Sequence, residues 1–288
     1  MENLVNAIIS GLISGSLYAT MALGLAILYG VSGVFNFGHG VVALLGAYVA
    51  WLVFERLGLG LLLGIVLALA VLYLFGAVVY RFSINPLLKK PNWEFSTVIF
   101  MLGAGILLEN VILQIFGPRV KSIPLFLEGS LRIGFVQINW HELALIVTVV
   151  VALLLLNVFF KYSRMGQAMR AIAGSTTGAR IVGIDIDRIF SVTFGLAFAL
   201  TGFSGILLGT KYYMNPHIGW EWMVKGFVIV SFGGLGSTMG TIYAAMILGV
   251  VEAIATLYFG AMWVWPIWFV IFLVTLLLRP QGIAGGRL

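Results

Sequence analysis

Two carboxylates, Glu109 and Glu252, lie inside long apolar stretches of this 288-residue sequence. A carboxyl group in the middle of a bilayer is costly unless it is partnered or protonated, so such an acid is a functional candidate by default. Glu109 is followed by Asn110 and Gln114, a polar stripe at i, i+1 and i+5. Glu252 sits among Val251, Ala253 and Ile254 with no obvious partner nearby in the chain. Each reads either as a protonated or hydrogen-bonded structural acid near the end of a tilted helix, or as a group on a solute path or partner contact. Two acids without an intramembrane Lys or Arg make a poor proton relay. Three histidines (His39, His141, His217) are far apart, and cysteine is absent. The sequence therefore offers no zinc-ligand spacing, disulfide or Cys nucleophile. No catalytic, metal or cofactor residue is assigned, and an enzyme is the least favoured class, since it needs a clustered nucleophile and base.

Two further features interrupt apolar runs. In Val34–Gly40, Asn36 and His39 stand between Gly33, Gly38 and Gly40. This is either a tight turn at the cytoplasmic membrane surface or a break at membrane depth, where irregular backbone must be covered by protein or line a water-filled cavity. In Gly226–Phe259, Ser231, Gly233, Gly234, Gly236, Ser237, Thr238 and Gly240 crowd the first half. The run has 34 residues, too many for one straight span, so a broken or re-entrant helix is expected there. Its place in the second half roughly parallels that of Val34–Gly40 in the first, which suggests an internal repeat with a pathway between the halves. The stretch lacks the Gly-Lys-Ser/Thr ending of a phosphate-binding loop, so ATP binding by this chain is not expected. Asn36, His39, Glu109, Ser231, Gly234, Gly236 and Glu252 are the candidate pathway residues.

The elements that must position them are membrane helices. The chain is 61% hydrophobic and 9% charged, against roughly 45–50% and about 25% in ordinary globular domains. A soluble enzyme and a disordered chain are both excluded. Apolar runs occupy Ala7–Val34, Gly40–Phe54, Leu61–Tyr80, Thr97–Phe116, Leu143–Phe160, Ile189–Tyr212, Gly226–Phe259 and Met262–Leu278. A span needs about 20 apolar residues, so eight or nine crossing or re-entrant helices are expected in an all-α transmembrane bundle. The acidic start before the first run argues for a retained helix rather than a signal peptide. Gly11-x-x-x-Gly15 and Gly202-x-x-Gly205 suit close helix approach. Trp140, Trp220, Trp222, Trp263, Trp265 and Trp268 read as an interfacial aromatic belt.

Charge sets the orientation. Lys161, Arg164, Arg170, Arg180 and Arg188 gather in one loop, which the positive-inside rule places in the cytoplasm. The 81–94 loop then falls inside, while the N-terminus and the 117–140 and 211–225 loops fall outside. If Gly226–Phe259 enters and returns, the tail with Arg279 and Arg287 is also inside; if it crosses once, the tail is outside. The +6 charge is read as orientation and attraction to anionic lipid, not as nucleic-acid binding.

Within the 161–188 loop, Met165, Ala168, Met169, Ile172 and Ala173 recur at three- and four-residue spacings, making a short amphipathic helix. Gly174–Gly178 breaks it, and Ala179–Ile184 forms a second short piece. A partner protein could grip such a pair; a membrane-surface helix held by its arginines is the other reading.

Gly166, Arg170-Ala171, Ala173, Ala179 and Gly183-Ile184 resemble the coupling loop of branched-chain amino acid ABC transporter permeases, the LivH-type family. The resemblance covers the whole chain through Val34-Phe-Asn-Phe-Gly-His-Gly40, Gly233-Gly-Leu-Gly-Ser-Thr-Met-Gly240 and Arg279-Pro-Gln-Gly-Ile-Ala-Gly285. Ser175 departs from the Asn or Asp common there, which bears on local capping. The resemblance implies one permease domain over 1–288, multi-pass in a bacterial or archaeal plasma (inner) membrane. It implies import of leucine, isoleucine and valine with a second related permease subunit, two cytoplasmic ATP-binding subunits and an extracytoplasmic solute-binding protein. Urea, amides or other small polar solutes are the alternative cargo, and an ion-coupled secondary transporter is the alternative mechanism.

Overall fold

The computed structural model describes residues 2–124, 127–133 and 136–284. Gly285 and Arg287 of the tail lie outside the described residues. The helices in chain order are α1 (Glu2–Ser32), α2 (His39–Trp51), α3 (Leu61–Val79), α4 (Asn85–Leu88), α5 (Trp93–Phe116), α6 (Trp140–Tyr162), α7 (Arg164–Gly174), α8 (Thr176–Ile181), α9 (Ile186–Lys211), α10 (Ile218–Gly233), α11 (Thr238–Phe259) and α12 (Val264–Leu278). Five-residue π-turns extend α2 through Arg56 and α3 through Ile84. Between α5 and α6 a short antiparallel hairpin pairs β1 (Ser130–Ile133) with β2 (Val136–Asn139), a minor departure from an all-helical chain.

Eight helices are long and apolar enough to cross a membrane. α10, with 16 residues, is shorter than these eight. The Gly226–Phe259 run belongs to two helices that fold back on each other, with Gly233 packed on Gly240 at the turn and Lys225 beside Glu252 further along. The single-crossing alternative is thereby excluded. The backbone N–H groups of Ile283 and Ala284 donate to Phe232 and Gly233, so the tail returns to the same end of the bundle as this turn.

Between helices in lipid, apolar contact brings no hydrophobic gain over contact with acyl chains, so association relies on close approach at small residues. α1 is the most enclosed of the eight long apolar helices: 94% of its most apolar stretch is buried, against 11% for α6. Gly11 meets Gly249 and Val250 of α11, and Gly15 meets Ala245 and Met246, which makes α1 and α11 antiparallel. α9 packs antiparallel on α3, Gly76 meeting Phe194 and Gly195 meeting Tyr73. It runs parallel to α2, with Gly205 on Ala43 and Gly209 on Ala47. The two glycine pairs expected to permit close approach therefore do so.

These contacts give α1, α2 and α3 the directions down, up and down, and α9, α10 and α11 the directions up, down and up. The two triplets form an inverted pair whose outer helices exchange partners, α1 with α11 and α9 with α3. These contacts set α1–α3 against α9–α11, so the counterpart of the first half is Ile186–Phe259 and not the glycine-rich run expected from sequence.

Trp222 and Trp268 are core residues, 4% and 1% exposed, and do not belong to an interfacial belt. Trp140 and Trp263, at the starts of α6 and α12, are exposed and fit that role.

Candidate functional site

The break between α1 and α2 lies deep in the bundle. His39, fully buried, donates from Nε2 to the Met21 carbonyl at 2.8 Å, eleven residues before the end of α1. Its Nε2 is also 3.1 Å from Thr201 Oγ1 in α9. Gly38 faces Gly105, near the middle of α5. After α1 ends, residues 33–38 thus fold back to mid-depth, and α2 starts from there. The expectation of a tight turn at the membrane surface is corrected: the Gly38 and His39 N–H groups and His39 Nε2 find acceptors within the protein, which is what allows irregular backbone at that depth.

A second segment mirrors it. After α9, Met214 pairs by backbone with Lys121, and the chain returns into the bundle before α10 starts at Ile218. In the first break Asn36 Oδ1 accepts from the Gly38 N–H at 2.9 Å, and the His39 N–H donates to the Asn36 carbonyl at 3.2 Å. In the second, Asn215 Oδ1 accepts from the His217 N–H at 2.9 Å, and the Ile218 N–H donates to the Asn215 carbonyl at 3.3 Å. Both are Asx-type turns, the side chain standing in for a backbone acceptor. Each Asn is followed four residues on by glycine, and the glycines meet. A Cβ on Gly40 would collide with the Gly219 carbonyl, and one on Gly219 would press on Val41 Cα. The amino ends of α2 and α10 therefore abut at mid-depth.

Around this junction the candidate residues divide. Asn36 is 1% exposed with Nδ2 unpartnered, and it lines a cavity of about 30 Å³ with Gly38, Gly105 and Phe198. Glu109 is brought to the same neighbourhood: His217 Nδ1 is 2.5 Å from its Oε1, and Trp220 Nε1 donates to its Oε2. Asn110 and Gln114 are exposed on another face, so the expected polar stripe is split by the 100° helical step. Ser231 is buried in α10, while Gly234 and Gly236, both at positive φ, form the α10–α11 turn, where Gly236 lies against Gly30 near the end of α1. The glycine-rich turn is thus at one end of the bundle and does not join the mid-depth junction.

Glu252 has the partner that its sequence neighbourhood lacked. Lys225 Nζ donates to Glu252 Oε1 and to the Tyr18 hydroxyl, each at 2.8 Å, and the Tyr18 hydroxyl donates to the same Oε1 at 3.2 Å. Lys225 also sits 4.6 Å from the Tyr18 ring centroid and 5.5 Å from that of Trp268. It lies within α10, at the depth of the middle of α1, and does not belong to the 211–225 loop. The near absence of intramembrane base is corrected, because α10 starts inside the bundle, seven residues before Lys225. A lysine preceded by tryptophans at i−3 and i−5 was the signal that could have placed it.

The 161–188 loop folds as expected, into α7 and α8. Ser163 Oγ caps α7 through the Gly166 N–H at 2.9 Å, and Ser175 Oγ caps α8 through the Gly178 N–H at 3.0 Å. Serine at 175 therefore retains the capping function. Gly166 is buried where a Cβ would enter Phe159 and Phe160 of α6, so it seats α7 on the bundle. Met169 and Ile172 are buried beneath α7, and Ala179 beneath α8. Arg170, Ala171 and Gly183 are exposed, with Ala173 and Ile184 half-buried. Gly183, at φ +84, ends α8 with the Ile184 N–H donating to the Ala179 carbonyl, a Schellman closure. Two residues that sequence reasoning passed over stand at this tip: Ile181 and Val182 are 81% and 75% exposed.

The family model for the permease component of branched-chain amino acid transport systems matches residues 7–279. The chain belongs to this family. It is 31% identical to the high-affinity branched-chain amino acid transport system permease protein LivH of Escherichia coli K12, over 96% of this chain and 94% of that one. It is also 28% identical to LivM, a permease protein of the same kind of system in Salmonella typhimurium, over 81% of this chain and 60% of that one. In fold it is similar to a chain of PsaBC from Streptococcus pneumoniae in complex with Fab, with a TM-score of 0.53 at 14% identity, covering 98% of this chain and 93% of that one. As a member of this family the protein is a multi-pass membrane permease component.

Proposed function

We propose that this permease is the LivH-type subunit of an ATP-driven importer for leucine, isoleucine and valine. It provides part of the solute path and the contact that receives the work of ATP hydrolysis, and does no chemistry itself. The likeness to both LivH and LivM supports pairing with a second, related permease subunit. Two cytoplasmic ATP-binding subunits and an extracytoplasmic solute-binding protein complete the assembly.

The observation that carries the reading is the α7–α8 tip. One face of this helix pair is packed onto the bundle through Met169, Ile172 and Ala179, while Ile181 and Val182 stand in solvent. Exposed branched apolar side chains on a rigid, doubly capped loop suit insertion into a groove on another protein. Arg170, Ala171 and Gly183 border the tip, whereas Gly166 and Ala179 act by seating it. The solute path is assigned to the junction of α2 and α10, at the interface of an inverted repeat, where broken helices bring polar groups to mid-depth. Asn36, His39, Glu109 and His217 are among the polar side chains there.

The chain has no cysteine, so Ile181→Cys provides a single crosslinking site. In the assembled importer the ATP-binding subunit is captured from this position, and Ile181→Asp abolishes uptake while the complex still assembles. An assembled complex in which position 181 never captures that subunit overturns the coupling role. Uptake of radiolabelled leucine, isoleucine and valine, run beside urea and amides with the cognate binding protein, decides the cargo.

A further inference from the structure

We propose that a groove between α6 and α11 holds an acyl chain of an anionic phospholipid from the cytoplasmic leaflet, with its phosphate on Lys161 and Arg170. This goes beyond the permease reading and rests on it only for the membrane orientation and the partner subunits.

The groove has a volume of about 490 Å³. Val150, Leu153 and Leu154 of α6 form one wall, Met239 and Ile242 of α11 the other, and Leu23 of α1 the floor. Val150 and Lys161 are eleven residues apart on α6, about 16 Å at 1.5 Å per residue. That length is about half of a ~30 Å hydrocarbon core, the depth of one leaflet. Val150 lies near the middle of α6, and Lys161 near its cytoplasmic end. The apolar part of the groove thus begins near mid-bilayer and stops at the headgroup level.

At that level the lining changes character. Asn157, Lys161 and Arg170 close the cytoplasmic end, and among the described residues neither Lys161 nor Arg170 is in an ion pair. Lys161 Nζ rests 5.3 Å from the Tyr162 ring centroid, which leaves its N–H donors available. Two unpaired cations over a leaflet-deep apolar slot match a phosphate carrying net negative charge above its acyl chain, the pattern of basic pockets between helices on the cytoplasmic side. A zwitterionic headgroup would fill the slot without balancing the charge. Arg170 belongs to α7, so the bound lipid ties the coupling helix to the bilayer.

The test uses the full chain purified with its partner subunits in nanodiscs. Leu154→Cys, the sole cysteine, carries a bimane label in the groove, and brominated acyl chains report occupancy by quenching. With phosphatidylglycerol as a minor component in phosphatidylcholine, bromination of the phosphatidylglycerol alone quenches about tenfold more per lipid than bromination of the phosphatidylcholine. Lys161→Gln with Arg170→Gln brings the two to equal quenching, while the label stays accessible to lipid. Ile242→Trp, which fills the slot, lowers quenching by both. Equal quenching by the two lipids in the parent protein overturns the proposal. So does a preference that survives the double substitution, and so does crosslinking of position 154 to the second permease subunit, which would show a protein occupant instead.

Discussion

Lys225 Nζ and Glu252 Oε1 are 2.8 Å apart between adjacent, antiparallel helices, and Tyr18 bridges both from α1. The side chains are 12% and 18% exposed, so each charge depends on the other and not on water. Breaking such a pair leaves one uncompensated charge and costs about 3–5 kcal/mol, whereas replacing both partners can be nearly neutral. Lys225→Met and Glu252→Gln should each lower the melting temperature in detergent, and the double substitution should recover most of the loss. A double variant as unstable as the sum of the singles would show that the two residues act separately.

Gly40 and Gly219 bring the amino ends of α2 and α10 together. Overpacking a close contact costs roughly 1–3 kcal/mol, and here the obstacle is backbone, which cannot rotate away. Gly40→Ala or Gly219→Ala should reduce folded yield and uptake sharply. Gly103 in α5 has open space around the position of a Cβ, so Gly103→Ala is the control and should leave both unchanged. Size-exclusion profiles and leucine uptake read the contrast.

Asn36 and Asn215 make the same turn in the two halves. Loss of a typical hydrogen bond costs about 1 kcal/mol net. Asn36→Ala and Asn215→Ala should therefore destabilise to a similar extent, and serine at either position should restore part of the loss by keeping an acceptor. Thermal unfolding of the four variants checks the equivalence.

Ser175 caps α8, and removing such a cap costs about 0.5–2 kcal/mol. Ser175→Ala should speed amide exchange through Thr176–Ile181 and weaken stimulation of ATP hydrolysis. Ser175→Asn should leave both at the parent level, since asparagine caps as well as serine.

Periodicity and turn chemistry are local properties, and they made much of this protein legible. The spacing of Met165, Met169 and Ile172 in the sequence foretold which side of α7 is covered: Met169 and Ile172 are buried and Met165 is half-buried. Of the expected Gly174–Gly178 break only Ser175 lies between α7 and α8, because its side chain caps a helix that already starts at Thr176, three residues before the expected Ala179. For Val34–Gly40 the glycines announced an interruption without giving its depth. Depth depends on whether other helices supply partners for the freed polar groups, and Met21 and Thr201 supply them from separate parts of the chain.

By itself the sequence determined that the chain spans a membrane, where most of its helices lie and which family pattern it carries, and its charge distribution set the expected orientation. These follow from hydropathy, helical period and charge count, each read within one stretch of chain. Tertiary structure alone decided that Asn36 has its counterpart in Asn215, that Glu109 meets His217 and Trp220, and that Glu252 is answered by Lys225. Each of the last two meetings joins residues of helices separate in sequence, and in lipid such groups must find partners wherever packing places them. The two acids that first drew attention are therefore not equivalent. Glu109 belongs to the junction where two helices begin, and Glu252 to a charge pair joining α10 and α11.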